Sequence, residues 1–271
     1  MSVADDASHW AGSAPGEPIV QEHDGVLTLR FDSAAVQSSM DPARPCDLLL
    51  EYSHIMISAL LFDPAPRRIG MVGLGGGSLV KACRHLVPQA RIDVAEIAPS
   101  VIALRERFLI PPDDERLAIA CADGAEWVAR HDGAFDLLMV DGFDIGGQVP
   151  VLCTQRFYDD CAAALAPTGI LIINLHATDP LHDAYITRVR RSFANSVRVV
   201  ATRDSDNLIV FATRGNAFRL SEKQLQVRAR ALGRQIGVDL LWLARALVEG
   251  RLRDLSPAPR RTGWRTLETE E

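Results

Sequence analysis

From about residue 69 onward, short continuous apolar runs alternate with stretches whose apolar positions recur every three or four residues. The runs at 69–74, 92–97, 117–122, 135–140, 170–175, 197–202 and 208–213 lack the polar alternation of a half-exposed strand. They therefore predict strands covered on both faces. Helical spacing fills the intervals at 79–86, 100–108, 125–130, 155–165 and 181–193. Only Arg203-Asp204-Ser205-Asp206-Asn207 separates the last two strands, which is too short for a crossover helix. Those two strands must form an antiparallel hairpin.

The flanks read differently. Residues 25–31 alternate apolar and polar like a half-buried strand, and the short segment 35–40 pairs with it through a turn near Asp32-Ser33. Residues 47–62 carry helical spacing, and Asp63-Pro64-Ala65-Pro66 ends that helix. Beyond Arg214, the pattern Ser221-Glu222-Lys223-Gln224 predicts a capping box opening a helix to about 235. A second helix follows at 240–249, with Trp242 on its apolar face. Residues 1–18 and 251–271 have the composition of a disordered start and a flexible tail. The predicted organisation is a β appendage with a linking helix (19–62), an α/β core (63–215) and a helical pair (216–250). About seven mostly parallel strands with a C-terminal antiparallel hairpin make the architecture of Rossmann-like methyltransferases.

Composition narrows the function classes. Hydrophobic residues make up 48% and charged residues 24%, enough for a sizeable core. The formal net charge of −6 comes from mixed charges and argues against nucleic acid as the main partner; a cationic substrate suits it better. Cys46, Cys83, Cys121, Cys153 and Cys161 form no CxxC pair and read as reduced thiols in a cytoplasmic protein. The histidines show no metal-ligand spacing. No apolar run is long enough for a membrane span, and the start does not resemble a signal peptide.

The chemistry concentrates at the carboxyl ends of the predicted strands. Gly73-Leu74-Gly75-Gly76-Gly77-Ser78 joins the first strand to its helix, where glycine lets a ligand approach the backbone and the helix amides favour a polar tail. Glu96 ends the next strand and can accept from both ribose hydroxyls. Asp123-Gly124 ends the third, with a carboxylate for the exocyclic amine of adenine. Together these predict an adenosyl ligand. Asp141-Gly142-Phe143-Asp144 follows the fourth strand and places two carboxylates at the expected reaction centre. Asn174 and His176 end the fifth, where a capping or loop role serves equally.

The order of these motifs, continued by Gln155-Arg156-Phe157-Tyr158, resembles the spermidine synthases, or polyamine aminopropyltransferases. The resemblance spans about 26–213 and includes Gln37 and the approach Tyr52…Met56…Pro64…Pro66. It implies that Gln37 and Glu96 hold ribose and Asp123-Gly124 holds adenine. Asp141 would deprotonate the attacking amine, Asp144 anchor the polyamine and Tyr52 wall the pocket. The implied co-substrate is decarboxylated S-adenosylmethionine, the partner a small-molecule amine, and the assembly a homodimer. The family loop reads GGGDGG, its aspartate facing the donor's ammonium, and Ser78 stands in that place here. Two alternatives stay open: a methyltransferase using intact S-adenosylmethionine, and a non-catalytic adenosyl-binding homologue.

Overall fold

The computed structural model describes residues 17–31, 36–144 and 147–249. The expectations of disorder for residues 1–16 and of a flexible tail from 251 lie outside them. The chain opens with a three-stranded antiparallel sheet of β1 (Ile19–His23), β2 (Val26–Arg30) and β3 (Ser38–Met40). The sequence pattern missed β1. Its connection to β2 is the two-residue turn Asp24-Gly25, with φ of 50° and 75° at the two positions. An Asp-Gly pair is the usual chemistry of such a hairpin. Helix α1 (Glu51–Ile57), extended by a 3₁₀ turn, leads to the main sheet.

That sheet is built from β4 (Arg68–Val72), β5 (Arg91–Glu96), β6 (Leu117–Cys121), β7 (Phe135–Val140), β10 (Leu165–His176), β11 (Val197–Ala201) and β12 (Asn207–Thr213). Between β7 and β10 lies a small hairpin of β8 (Phe143–Asp144) and β9 (Gly147–Gln148). The strand order is β11-β12-β10-β7-β4-β5-β6. Pairing is parallel from β10 to β6, and β12 runs antiparallel to both its neighbours. Helices α2 (Ser78–Leu86), α3 (Pro99–Ile102), α4 (Gly124–Ala129), α5 (Gln155–Ala164) and α6 (His182–Ser192) form the connections.

Continuous apolar strands have two faces to bury, and the core divides accordingly. Ile69, Met71, Leu137, Met139, Ile172 and Phe211 face a cluster completed by α1, α2 and the C-terminal helices α7 (Glu222–Ile236) and α8 (Leu241–Glu249). Val72, Leu138, Val140, Leu171, Ile173 and Val210 face the other, packed by α5 and α6. The predicted capping box is present at α7: Ser221 accepts from the Gln224 amide and Gln224 returns the bond. The amino-terminal edge of the sheet is fastened by charge. Asp136 accepts from the Arg67 and Arg68 amides at 2.8 and 3.0 Å, and Asp93 pairs with Arg68 and Arg91. The opposite edge carries the predicted chemistry.

One expected helix is mostly absent. The α-helix runs only from Pro99 to Ile102, covering 100–102 of the predicted 100–108, and the chain then turns until Leu109, which adopts a positive φ of 53°. The turn sends Phe108 wholly inside, against the glycine loop, and leaves Leu109 exposed. Tertiary burial of one aromatic overrides the helical spacing. Phe108→Ala should therefore lower unfolding stability by about 3–5 kcal/mol, whereas Leu109→Ala should change it by less than about 0.5 kcal/mol. Urea denaturation of the two variants checks this contrast.

Candidate active site

Strands β4 and β7 are neighbours at the point where the strand order reverses, and their outgoing chains diverge to opposite sides of the sheet. Such a switch point leaves a crevice at the carboxyl edge. The Asp141 amide donates to the Val72 carbonyl at 2.9 Å, and the Gly73 amide donates to the Ala95 carbonyl at 2.9 Å. Gly73 has a φ of 95°, and a Cβ there would lie 2.2 Å from the Asp141 carbonyl oxygen. No side chain fits at this crossing.

The cleft has a volume of about 960 Å³ counted to its open mouth. Gln37, Gly73, Gly75, Ser78, Glu96, Asp123, Gly124, Tyr52 and Asp141 all line it. Glu96 is almost fully buried, and its carboxylate is oriented by two backbone donors: the Leu74 amide to Oε2 at 2.8 Å and the Ala98 amide to Oε1 at 2.9 Å. Asp123 caps α4 through Oδ1, which accepts from the Ala125 and Glu126 amides at 2.8 and 2.9 Å. Oδ2 takes no part in that cap. Ile97 lies directly beyond Glu96 and is 65% exposed, giving the mouth an apolar wall with Val151 opposite. Sequence reading passed over both; a large apolar residue just past a strand end was the available signal for Ile97, and Val151, in the 3₁₀ turn Pro150–Cys153, offered none.

The loop departs from expectation at two positions. Gly76 and Gly77 do not line the cleft, because they turn toward the interior: a Cβ at Gly76 would meet Ser38 Oγ at 2.6 Å and Phe108 at 2.8 Å, and one at Gly77 would meet Ile110 at 2.5 Å. Ser78 lines the cleft with its hydroxyl engaged, 3.1 Å from Ser38 Oγ and donating to the Ser39 carbonyl at 3.3 Å.

A second chamber adjoins the first. Gln37, Tyr52, Asp141 and Phe143 belong to both, and the second is completed by Glu51, Asn174, His176, Asp204, Asp206 and Asn207, among others. Among the described residues, no lysine or arginine lines it. Asp141 therefore stands at the junction between the cleft at the glycine loop and an acidic one. Burial pushes its carboxyl above the usual range, opposed by hydrogen bonds from Asn174 and Tyr52. Burial and the adjacent Asp141 charge hold the Tyr52 hydroxyl well above its ordinary value. The single proton of that hydroxyl has two acceptors within reach, the Asp141 carboxylate and the Gln37 carbonyl at 3.2 Å. Asp144 is not brought to either chamber. In the extended strand β8, successive side chains take opposite faces. Phe143 packs edge-on against His176 at 5.1 Å, and Asp144 is left exposed.

Behind the loop lies a residue the sequence reading did not single out. Lys81 is 3% exposed and has no carboxylate partner; Nζ donates to the Phe108 and Gly76 carbonyls at 2.6 and 3.0 Å and lies 2.9 Å from Met40 Sδ. It thus joins the glycine loop, the turn before 110 and β3. Burial lowers its pKa to about 8. Among the described residues there is no group of three or more His, Cys, Asp or Glu arranged for a metal, and no helix long and apolar enough to cross a membrane.

The glycine loop, Glu96 and Asp123 converging in a crevice at the switch point place the chain among the methyltransferase-type Rossmann folds. Within that class it belongs to the spermine/spermidine synthase family, since residues 49–203 match the spermine/spermidine synthase domain. It is 33% identical to a polyamine aminopropyltransferase of Chromobacterium violaceum over 84% of this chain and 88% of the relative. A probable spermidine synthase from Corynebacterium glutamicum shares the fold, with a TM-score of 0.69 and 19% identity over 96% of this chain and 99% of that one. Human methyltransferase-like protein 13, solved in complex with SAH, superposes with a TM-score of 0.62 and 25% identity over 70% of this chain and 93% of that one.

Lys81 gives a test with a definite sign. A lysine with a lowered folded-state pKa binds fewer protons folded than unfolded between about 8 and its ordinary 10.5. Stability then rises with pH across that window and is depressed below it. Lys81→Met should remove this rise, so the stability difference between variant and wild type should shift toward wild type from pH 7.5 to 9.5. Urea unfolding at the two pH values measures it.

Proposed function

We propose that this protein transfers the aminopropyl group of decarboxylated S-adenosylmethionine to a di- or polyamine of putrescine type. The observation that carries the reading is the junction at Asp141, where the cleft lined by the glycine loop, Glu96 and Asp123 meets a chamber lined by Glu51, Asp204 and Asp206, with no lysine or arginine lining it among the described residues. Adenosine fits the first chamber: Glu96 for the ribose hydroxyls, Asp123 Oδ2 for the adenine amine, and Ile97 and Val151 for the faces of the base. An alkylammonium fits the second, and the named relatives support the pairing.

The chemistry follows from the charges. An alkylammonium has an ordinary pKa of about 10 and cannot attack carbon while protonated. Asp141 takes the proton from the amine nitrogen. The nitrogen lone pair then forms a bond to the carbon beside the sulfonium, the carbon–sulfur bond breaks, and its electron pair returns to sulfur. Neutral methylthioadenosine leaves. Sulfur is already a good leaving group, so alignment and deprotonation are the protein's share. Tyr52, against both Gln37 and Asp141, walls the point of attack. Asp144 holds no place in this arrangement, and the distal ammonium falls to the acids of the second chamber. Cytoplasmic location and a homodimer belong to the same reading.

Purified protein incubated with putrescine and either donor should release methylthioadenosine from the decarboxylated one, detected by mass spectrometry. Adenosylhomocysteine from intact S-adenosylmethionine would instead establish methyl transfer, and binding without turnover would leave a non-catalytic homologue. Asp141→Asn should lower kcat by about 10²–10³-fold while methylthioadenosine affinity, read by calorimetry, changes little. Gly73→Ala should abolish that affinity, because its Cβ has no space against Asp141.

A further inference from the structure

The second chamber contains a hydrogen-bonded chain that ends on Asp141. Asn174 Nδ2 donates to Asp141 Oδ1 at 2.9 Å, and Asn207 Nδ2 donates to Asn174 Oδ1 at 2.9 Å. Both asparagines are buried, at 3% and 9% exposure, on the paired strands β10 and β12. Asn207 is itself pinned: its amide donates to Thr202 Oγ1 at 3.0 Å, and its carbonyl accepts from the Thr202 amide at 3.0 Å. Two buried amides in otherwise apolar strands are costly unless bonded.

The direction of donation is fixed by chemistry. An ionised carboxylate only accepts, so the Asn174 amide must turn its NH₂ to Asp141. Its oxygen then faces Asn207, which must present NH₂ in turn. A proton on Asp141 Oδ1 would require both buried amides to rotate by half a turn. A proton on Oδ2 requires no rotation.

We propose that Asn174 and Asn207 are positioning residues for Asp141: they occupy Oδ1 with a fixed donor and leave the carboxylate's remaining lone pairs, which Tyr52 also faces, to take the proton of the attacking amine. This rests on the transfer reading above, with Asp141 as base. The pair also links the base to the 202–206 turn, whose Asp204 and Asp206 line the same chamber. Other titratable groups face Asp141 from several sides. Tyr52 and Glu51 come from α1, His176 from β10, and Asp204 and Asp206 from the turn. Glu96 and Asp123 lie across the nucleoside cleft. None of these is altered by substituting the asparagines.

The test is the titration of Asp141 followed by carboxyl carbon NMR in the free protein, its signal assigned by loss in Asp141→Asn. Asn174→Leu should raise that titration by about one pH unit, since a hydrogen bond to the charged form is removed. Asn207→Leu should raise it by less, through the freed Asn174 amide. The acidic limb of kcat/KM should move by the same amounts, with kcat falling more than amine KM rises. Folded variants whose Asp141 titrates as in wild type would overturn the proposal. Asn174→Ser and Asn207→Ala provide the same comparison if the leucine variants do not fold. The NMR readout needs no turnover: shifts in the variants alongside an inactive wild type would keep the positioning pair and sink the transfer reading.

Discussion

Two backbones leave β4 and β7 so close together that no side chain can stand between them. A Cβ at Gly73 would lie 2.2 Å from the Asp141 carbonyl, and the site follows from that approach. It brings the glycine loop and the Asp141 carboxylate to one place without either contributing to the other's fold through side chains. The Asp141–Val72 and Gly73–Ala95 bonds continue the sheet pairing just past the strand ends. The crevice is thus the last row of the sheet, held as rigidly as the strands themselves. The sheet's opposite edge supports it with Asp136 and Asp93, whose bonds fix the strands where no chemistry occurs.

The legibility of this arrangement in the sequence depended on periodicity. Strands apolar on both faces cannot be mistaken for half-exposed ones, and the brevity of 203–207 dictated the terminal hairpin. Glu96 and Asp123 were readable because position after a strand end restricts where a side chain can go. Asp144 was not, since the pattern Asp-x-x-Asp says nothing of backbone conformation. Two carboxylates three residues apart share a face on a helix, but not across an extended strand. The truncated helix at 100–108 failed for a similar reason: local spacing cannot register that Phe108 is needed beneath the glycine loop. Lys81 and the Asn174–Asn207 pair were hidden in a different way. Each is a polar residue inside an apolar segment, and its purpose lies entirely in partners distant along the chain.

Those hidden residues share a physical role, which is orientation of acceptors. Lys81 turns the Gly76 and Phe108 carbonyls inward, and the loop between Gly73 and Ser78 keeps its shape around a buried cation. Among the described residues no carboxylate pairs with the cation; the carbonyl dipoles, with Met40 Sδ and nearby Cys46, only partly offset its desolvation, and its pKa falls. A salt bridge in that place would put a carboxylate beside the donor cleft and alter its charge. The carbonyl-bound lysine secures the loop without doing so.

The acidic chamber raises the converse question of how three carboxylates and Asp141 coexist in one cavity. Glu51 is relieved by Arg203, whose guanidinium approaches Glu51 Oε1 at 2.6 Å while stacking 4.2 Å over Trp242 of α8. Arg203 is not among the lining residues, so it compensates Glu51 from outside and ties the C-terminal helices to the turn bearing the other acids. Asp204 receives no such relief. Burial and the neighbouring Glu51 charge push its carboxyl up. The Glu51 and Asp204 carboxyls therefore oppose one another across this chamber, with only the Ser205 hydroxyl and a backbone amide acting the other way on Asp204. Because repulsion among fixed acids is relieved best by a cation that fits between them, the proposed ammonium guest would be chosen by the spacing of these charges as well as by their sign.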